Sequence, residues 1–371
     1  MRALRKRFIS MLGKLGYELR NINKHKLEDK IIDPDNYVKI KEQIVDDILE
    51  FFKKVPPFYS DEIRDELIIG GAWKQDLLER RPLQLKAIEE YNKELYSKLL
   101  ENMFRNEMIS GMWNISYYNK DLIGNGFPYQ FQYNLHMFKF ITNLSIDFLC
   151  DGDFGNKWGL LRNDKIITFV DPYKAINAYN TANLLNSLDN KDNICYMDLG
   201  SGWGSDPLKV EKLSNKPTRV ILFDIPLNLT TAYAYVSMNT DKECILISSK
   251  EGLNILKENN YKESHFIFIP TIFIEELSAV SPKIDLIYNH GSFSEMDYKT
   301  IEFYLKILLT NEVKILFEIN SNESALNCGS HIEVKSLNFP LPEEYKLLKR
   351  SPTINSCLGH RYLESVYLRK K

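Results

Sequence analysis

From residue 37 to about 150 the hydrophobic positions recur at three- and four-residue intervals, with no alternation of the strand type. Val38, Ile44, Val45, Ile48, Leu49 and Phe52 mark one amphipathic helix, because a 3.6-residue turn gathers such positions on one face. Pro82 opens a long helix through Leu83, Leu85, Ile88, Leu95, Leu99 and Phe104, since proline suits a first turn whose N–H has no helical partner. Phe131 to Leu149 reads as another helix. Residues 151–163, DGDFGNKWGLLRN, are dense in Gly, Asp and Asn and read as a turn-laden connection. A helix follows, with Asp171 as N-cap, Pro172 at its first position and Ile176, Tyr179 and Leu184 along one side.

The pattern changes at Ile194. Short runs rich in Ile, Val and Phe (ICYMDL, RVILFDI, HFIFIP, KIDLIYN, VKILFEI and RYLESVYL) now alternate with helical segments. Such alternation predicts an α/β fold, a mostly parallel Rossmann-like sheet with helices on both faces. CILIS at 244–248 competes with HFIFIP for the third strand, and the pattern leaves both open. The expected organisation is a mainly helical region over residues 1–150, a connecting segment and helix over 151–189, and the Rossmann-like domain over 190–371. The helical region is expected to cover the crevice and supply acceptor contacts.

Composition narrows the partners. Charged residues make up 26% of the chain but the formal charge is only −2, so no global field concentrates DNA or RNA. The five cysteines, Cys150, Cys195, Cys244, Cys328 and Cys357, lack CxxC spacing and read as reduced thiols. Without an apolar run of membrane-spanning length or a signal-peptide pattern, a cytoplasmic location is expected. Residues 1–26 carry eight Lys or Arg against one acid, Glu18, with Phe8, Ile9, Met11, Leu12 and Leu15 interleaved. A basic amphipathic helix of this kind can lie on an anionic membrane or on glycan-synthesis enzymes at the inner face, or simply pack on its own domain.

The segment Asp198-Leu-Gly-Ser-Gly-Trp-Gly204 falls where a strand ends and a helix begins, the place where open α/β sheets bind ligands. Gly200, Gly202 and Gly204 permit positive φ and close backbone approach, with Ser201 between the first two. Their G-x-G-x-G spacing differs from the G-x-G-x-x-G of dinucleotide sites, and Asp198 stands where a pyrophosphate would meet negative charge. S-adenosylmethionine carries a sulfonium and an ammonium and no phosphate, which suits an acid-flanked loop. Asp224, 26 residues after Asp198 at the end of RVILFD, can accept both ribose hydroxyls.

Through DLGSGWG and the acid at the second strand the sequence resembles class I methyltransferases. More narrowly, residues 284–305, IDLIYNHGSFSEMDYKTIEFYL, resemble the sugar O-methyltransferases found with bacterial surface-polysaccharide genes, where Asn289, Ser292, Phe293, Glu295 and Met296 match that family's N-x-x-S-F-x-E-M pattern. Trp158-Gly159 and the helix from Pro172 fit as well. Many relatives carry Glu and a second Gly where this chain has Asp198 and Ser201, a conservative departure. The resemblance implies S-adenosylmethionine as cofactor, Asn289 beside it, and a sugar nucleotide or glycan as acceptor.

Methylating an alcohol requires a group that removes its proton. His290, directly after IDLIYN, is the candidate base, with Glu295 to orient it and His331 and His360 as rivals. Asn289, His290, Glu295 and Asp297 could instead hold Mg²⁺, although no dense carboxylate cluster supports a metal. Trp203, Tyr233 and Tyr235 are candidates to line the site, against the reading that helical aromatics are core. A nicotinamide-dependent sugar dehydrogenase or epimerase is the rival enzyme. The rival without catalysis is a methyltransferase-like scaffold in a glycan-synthesis complex.

Overall fold

The computed structural model describes residues 31–32, 38–55, 79–109, 127–157, 159–162, 164–188, 192–309, 313–322, 334–353 and 362–370. The basic segment 1–26, Trp158, His331, His360, Cys328 and Cys357 lie outside them. Strand β1 (Ile31–Ile32) precedes helices α1 (Glu42–Lys54), α2 (Pro82–Glu89), α3 (Lys93–Glu101) and α4 (Phe127–Thr142). A hairpin of β2 (Gly159–Arg162) and β3 (Lys165–Ile167) leads into α5 (Asp171–Asn186). The order then becomes β4 (Ile194–Leu199), α6 (Ser205–Leu213), β5 (Thr218–Asp224), α7 (Pro226–Asn239), β6 (Glu243–Leu246) and β7 (His265–Pro270). It closes with α8 (Ile274–Val280), β8 (Leu286–His290), α9 (Tyr298–Leu309), β9 (Ile315–Ser321), β10 (Tyr345–Pro352) and β11 (Tyr362–Arg369).

Eight strands form one sheet in the order β10-β11-β9-β8-β4-β5-β7-β6. From β6 to β9 every neighbouring pair is parallel, whereas β11 runs antiparallel to both β9 and β10. Every residue of β4, β5, β7 and β9 is buried, as a sheet covered on both faces requires. HFIFIP therefore takes the third place beside β5, and the partly exposed ECIL lies outside it as the edge. At the opposite edge β10 was not legible as a strand. Its Lys346, Lys349 and Arg350 break the apolar pattern, which an edge strand tolerates because one flank faces solvent.

Four local expectations are corrected. The helix proposed through Leu83 to Phe104 is broken at Tyr91 (φ +49), and the Asn92 side chain accepts a bond from Leu95 N to start α3. The helix from Phe131 stops at Thr142, where Asn143 takes φ +54, and Ile146–Leu149 form a separate 3-10 turn. Asp171 is the first residue of α5 rather than its cap, its carboxylate accepting from Thr168 N at 2.6 Å. The turn-laden stretch proves to contain β2, which pairs with both β1 and β3.

One apolar cluster runs from Ile40 in the N-terminal helical region to Tyr367 in β11. The Phe104 ring meets Trp203 and Tyr235 edge-on at 5.9 Å each, and Tyr233 Oη donates to Asp47 Oδ2 at 2.7 Å. A smaller cluster joins α4, the hairpin and α5 through Phe131, Phe138, Leu160, Phe169 and Ile176. Among the described residues Cys150, Cys195 and Cys244 take part in no disulfide. No helix among the described residues is long and apolar enough to cross a membrane.

Candidate functional site

Where β4 ends, the chain turns through Gly200, Gly202 and Gly204 at φ +76, +57 and +84. Gly200 N donates to Phe223 O at 2.8 Å, which lays the loop across the end of β5. A Cβ on Gly200 would strike the Ser292 side chain, and one on Gly204 would come within 2.6 Å of Val236 Cγ2. Both positions thus combine left-handed backbone with no room. Gly200→Ala is expected to lower the urea midpoint by the equivalent of about 1 to 2 kcal/mol from backbone strain alone, before Ser292 is displaced. An unchanged midpoint would show that the loop tolerates a side chain.

The loop forms one wall of a cavity of about 210 Å³ at the carboxyl ends of β4, β5, β7 and β8. Asp198, Ser201, Gly202 and Trp203 line it from the loop side, Asp224 and Asn228 from β5 and α7, and His290 and Glu295 from β8 and the turn beyond. Asp224 Oδ2 accepts from Gly202 N at 2.9 Å, and Oδ1 accepts from Ile225 N at 2.7 Å and Asn228 Nδ2 at 3.1 Å. Burial pushes this carboxyl up to about 6 even though those donors and the Arg81 charge favour its ionised form. Burial and the nearby Asp206 push Asp198 well above the usual carboxylate range. Asp206 behaves in the opposite way. Burial raises it, but Lys174 at 3.0 Å and His290 together hold it down at about 2.

That contrast assigns one fixed negative charge to Asp206, and His290 Nδ1 stands 3.6 Å from its Oδ2. The imidazole packs edge-to-face on Tyr173 with 6.0 Å between centroids, while Lys174 Nζ lies 4.3 Å from the Trp203 ring centroid. Ser201 Oγ and Asn228 Oδ1 are buried on the cavity wall without a hydrogen-bond partner in the protein. Such groups are costly to leave unmet, so the wall is built to receive polar atoms.

Of the residues singled out in the sequence, Asp198, Gly200, Ser201, Gly202, Asp224, His290 and Glu295 reach the cavity. Gly204 stands behind it as the cap of α6. Asn289 also does not line it. Its Nδ2 donates to Leu199 O at 2.7 Å, and its Oδ1 accepts from Phe293 N and Asn320 Nδ2, so the side chain is spent joining β4, β8 and β9. The carboxylate at His290 Nδ1 is Asp206, and Glu295 lines the same cavity. Asp297 accepts from Thr300 N and Oγ1 as a helix cap. Among the described residues no group of three or more His, Cys, Asp and Glu could hold a metal ion. Trp203 lines the cavity, whereas Tyr233 bonds Asp47 and Tyr235 bonds the buried Lys157. Sequence reading missed Tyr173, Lys174, Asp206 and Asn228. Asp206 carried one signal, an acid in the first turn of the helix after the glycine loop, which alone reads as a dipole partner.

No family model and no curated protein matches the chain. Several solved methyltransferases are similar to it in structure. A small RNA methyltransferase is 14% identical over 54% of this chain and 26% of its own, with a TM-score of 0.38. The magnesium protoporphyrin IX methyltransferase of Synechocystis PCC 6803 with bound SAH is 10% identical over 56% of this chain and 90% of its own, at 0.36. The plantazolicin methyltransferase in complex with SAH is 13% identical over 53% and 84%, at 0.33. The chain spans about a quarter of the length of the first of these. The covered, mostly parallel sheet with its glycine loop after β4 is the Rossmann-like α/β arrangement that the second half of the sequence predicts.

Proposed function

We propose that the protein is an S-adenosylmethionine-dependent O-methyltransferase acting on a hydroxyl of a sugar or cell-surface glycan precursor. The observation that carries this reading is a single cavity with the acid-flanked glycine loop and Asp224 on one side and the His290–Asp206 pair on the other. The sugar acceptor rests on the resemblance of residues 284–305 to the sugar O-methyltransferases.

S-adenosylmethionine, when bound, supplies a methyl group already activated for transfer. Asp224 and the unmet Asn228 Oδ1 accept the ribose hydroxyls, and Asp198 faces the cationic end. Ser201 Oγ offers a further donor or acceptor beside the loop. Asp206, held ionised, favours the imidazole tautomer with its proton on Nδ1. Nε2 of His290 is then the free acceptor for the hydroxyl proton. Lys174, 3.0 Å away, keeps Asp206 charged, so the orienting group does not titrate during turnover.

Calorimetry on the purified chain is expected to detect binding of S-adenosylmethionine and S-adenosylhomocysteine and none of NAD. Binding of NAD alone would replace this reading with the dehydrogenase or epimerase. Mass spectrometry of surface glycans from a deletion strain, searched for a lost methyl increment, tests the acceptor class.

A further inference from the structure

We infer that Arg81, Gln84 and Tyr96 from the N-terminal helices brace the turn carrying Asp224 and thereby act as positioning residues for cofactor binding. This rests on the assignment of Asp224 to the ribose. Arg81 is fully buried beside the start of α2, and its Nη1 donates to Gln84 Oε1 at 3.4 Å. Gln84 Nε2 in turn donates to Leu227 O and to Tyr96 Oη, both at 3.2 Å. Tyr96 Oη also bonds Thr230 Oγ1 at 3.1 Å, and Gln84 N donates to Glu107 Oε1 at 2.7 Å.

Leu227 and Thr230 belong to the first turns of α7, and Asn228 between them holds Asp224 Oδ1. The polar chain from α2 and α3 therefore grips the same turn that Asp224 grips from within. A fully buried guanidinium is expensive to desolvate, and packing alone does not call for one here. Asp224 is faced electrostatically by Asp198 from β4, Tyr304 from α9 and Arg81 from the N-terminal helices, of which Arg81 is the cation. Its charge favours the ionised Asp224 that ribose recognition needs, against the burial that opposes it.

The test is calorimetric titration of the full chain with S-adenosylhomocysteine from pH 5 to 8. Wild type is expected to lose affinity as pH falls below about 6. Arg81→Met should move that fall upward by about one pH unit and weaken binding even at pH 8. Arg81→Lys should restore the pH profile while leaving affinity reduced. Tyr96→Phe, which deletes one oxygen, should weaken binding about fivefold without moving the profile. If Arg81→Met does not fold, as circular dichroism would show, Arg81→Lys and Tyr96→Phe decide the matter. A wild type that binds while all three variants match it in affinity and profile overturns the brace alone. A wild type that binds nothing overturns the ribose assignment and the brace with it.

Discussion

Asp224→Ala is expected to weaken S-adenosylmethionine binding at least tenfold and to remove the loss of affinity that wild type shows below pH 6. Two charge-assisted hydrogen bonds to ribose hydroxyls are at stake, each about 1.5 to 3 kcal/mol at most. The folded-state value of Asp224 is about 6 against 3.8 for a free carboxyl. As pH rises between those two values the unfolded chain releases this proton first, so the native state forfeits stability there, about 3 kcal/mol in all. Above pH 6 the carboxylate is ionised, buried and ready to accept, and the ribose hydroxyls offset part of that cost. Below pH 6 it holds its proton, so affinity should fall about tenfold per pH unit. Calorimetry across pH 5 to 8 reads both effects, and an alanine variant with the wild-type constant and profile would sink the ribose assignment.

The parts of this site that were legible in the sequence are those written in short-range code. Six buried residues of β4 followed by three glycines with positive φ announce a strand, a tight turn and a helix within one segment, and Asp224 is marked by the end of its own strand. The His290–Asp206 pair was not legible, because 84 residues separate its members and only the parallel pairing of β8 with β4 brings them together. The Asn289 motif was read as a ligand-facing signature. Its side chain instead satisfies backbone and amide groups between strands, a buried need that a sequence does not display.

The same limit governs the helical half. Tyr91 and Asn143 end helices in left-handed backbone without a glycine to announce it. Arg81 and Lys174 are long cations that composition rules place at the surface. Asp224 and Glu107 act electrostatically on Arg81, and Asp206 bonds Lys174 at 3.0 Å. One apolar core from Ile40 to Tyr367 packs the N-terminal helical region against the sheet.

His290→Ala is expected to lower turnover by about 10² to 10⁴, the usual contribution of a positioned general base, while S-adenosylmethionine affinity stays within about threefold. The separation follows from place. His290 ends β8 on the far side of β4 from Asp224, whose β5 lies on the other flank of that strand. The partner variant is Asp206→Asn rather than Glu295→Gln, because Asp206 is the carboxylate at Nδ1. Asparagine keeps the shape but not the charge that selects the Nδ1–H tautomer, so it should reproduce most of the defect. The double variant should then be little slower than His290→Ala, since two residues that act as one unit do not lose activity additively. With Asp206 held at about 2, this carboxylate contributes no acid limb to the wild-type rate in the neutral range. Single-turnover rates, in which chemistry is observed directly, make the measurement. Wild-type single-turnover rates in His290→Ala would move the base elsewhere, with His331 and His360 as the imidazoles to try next.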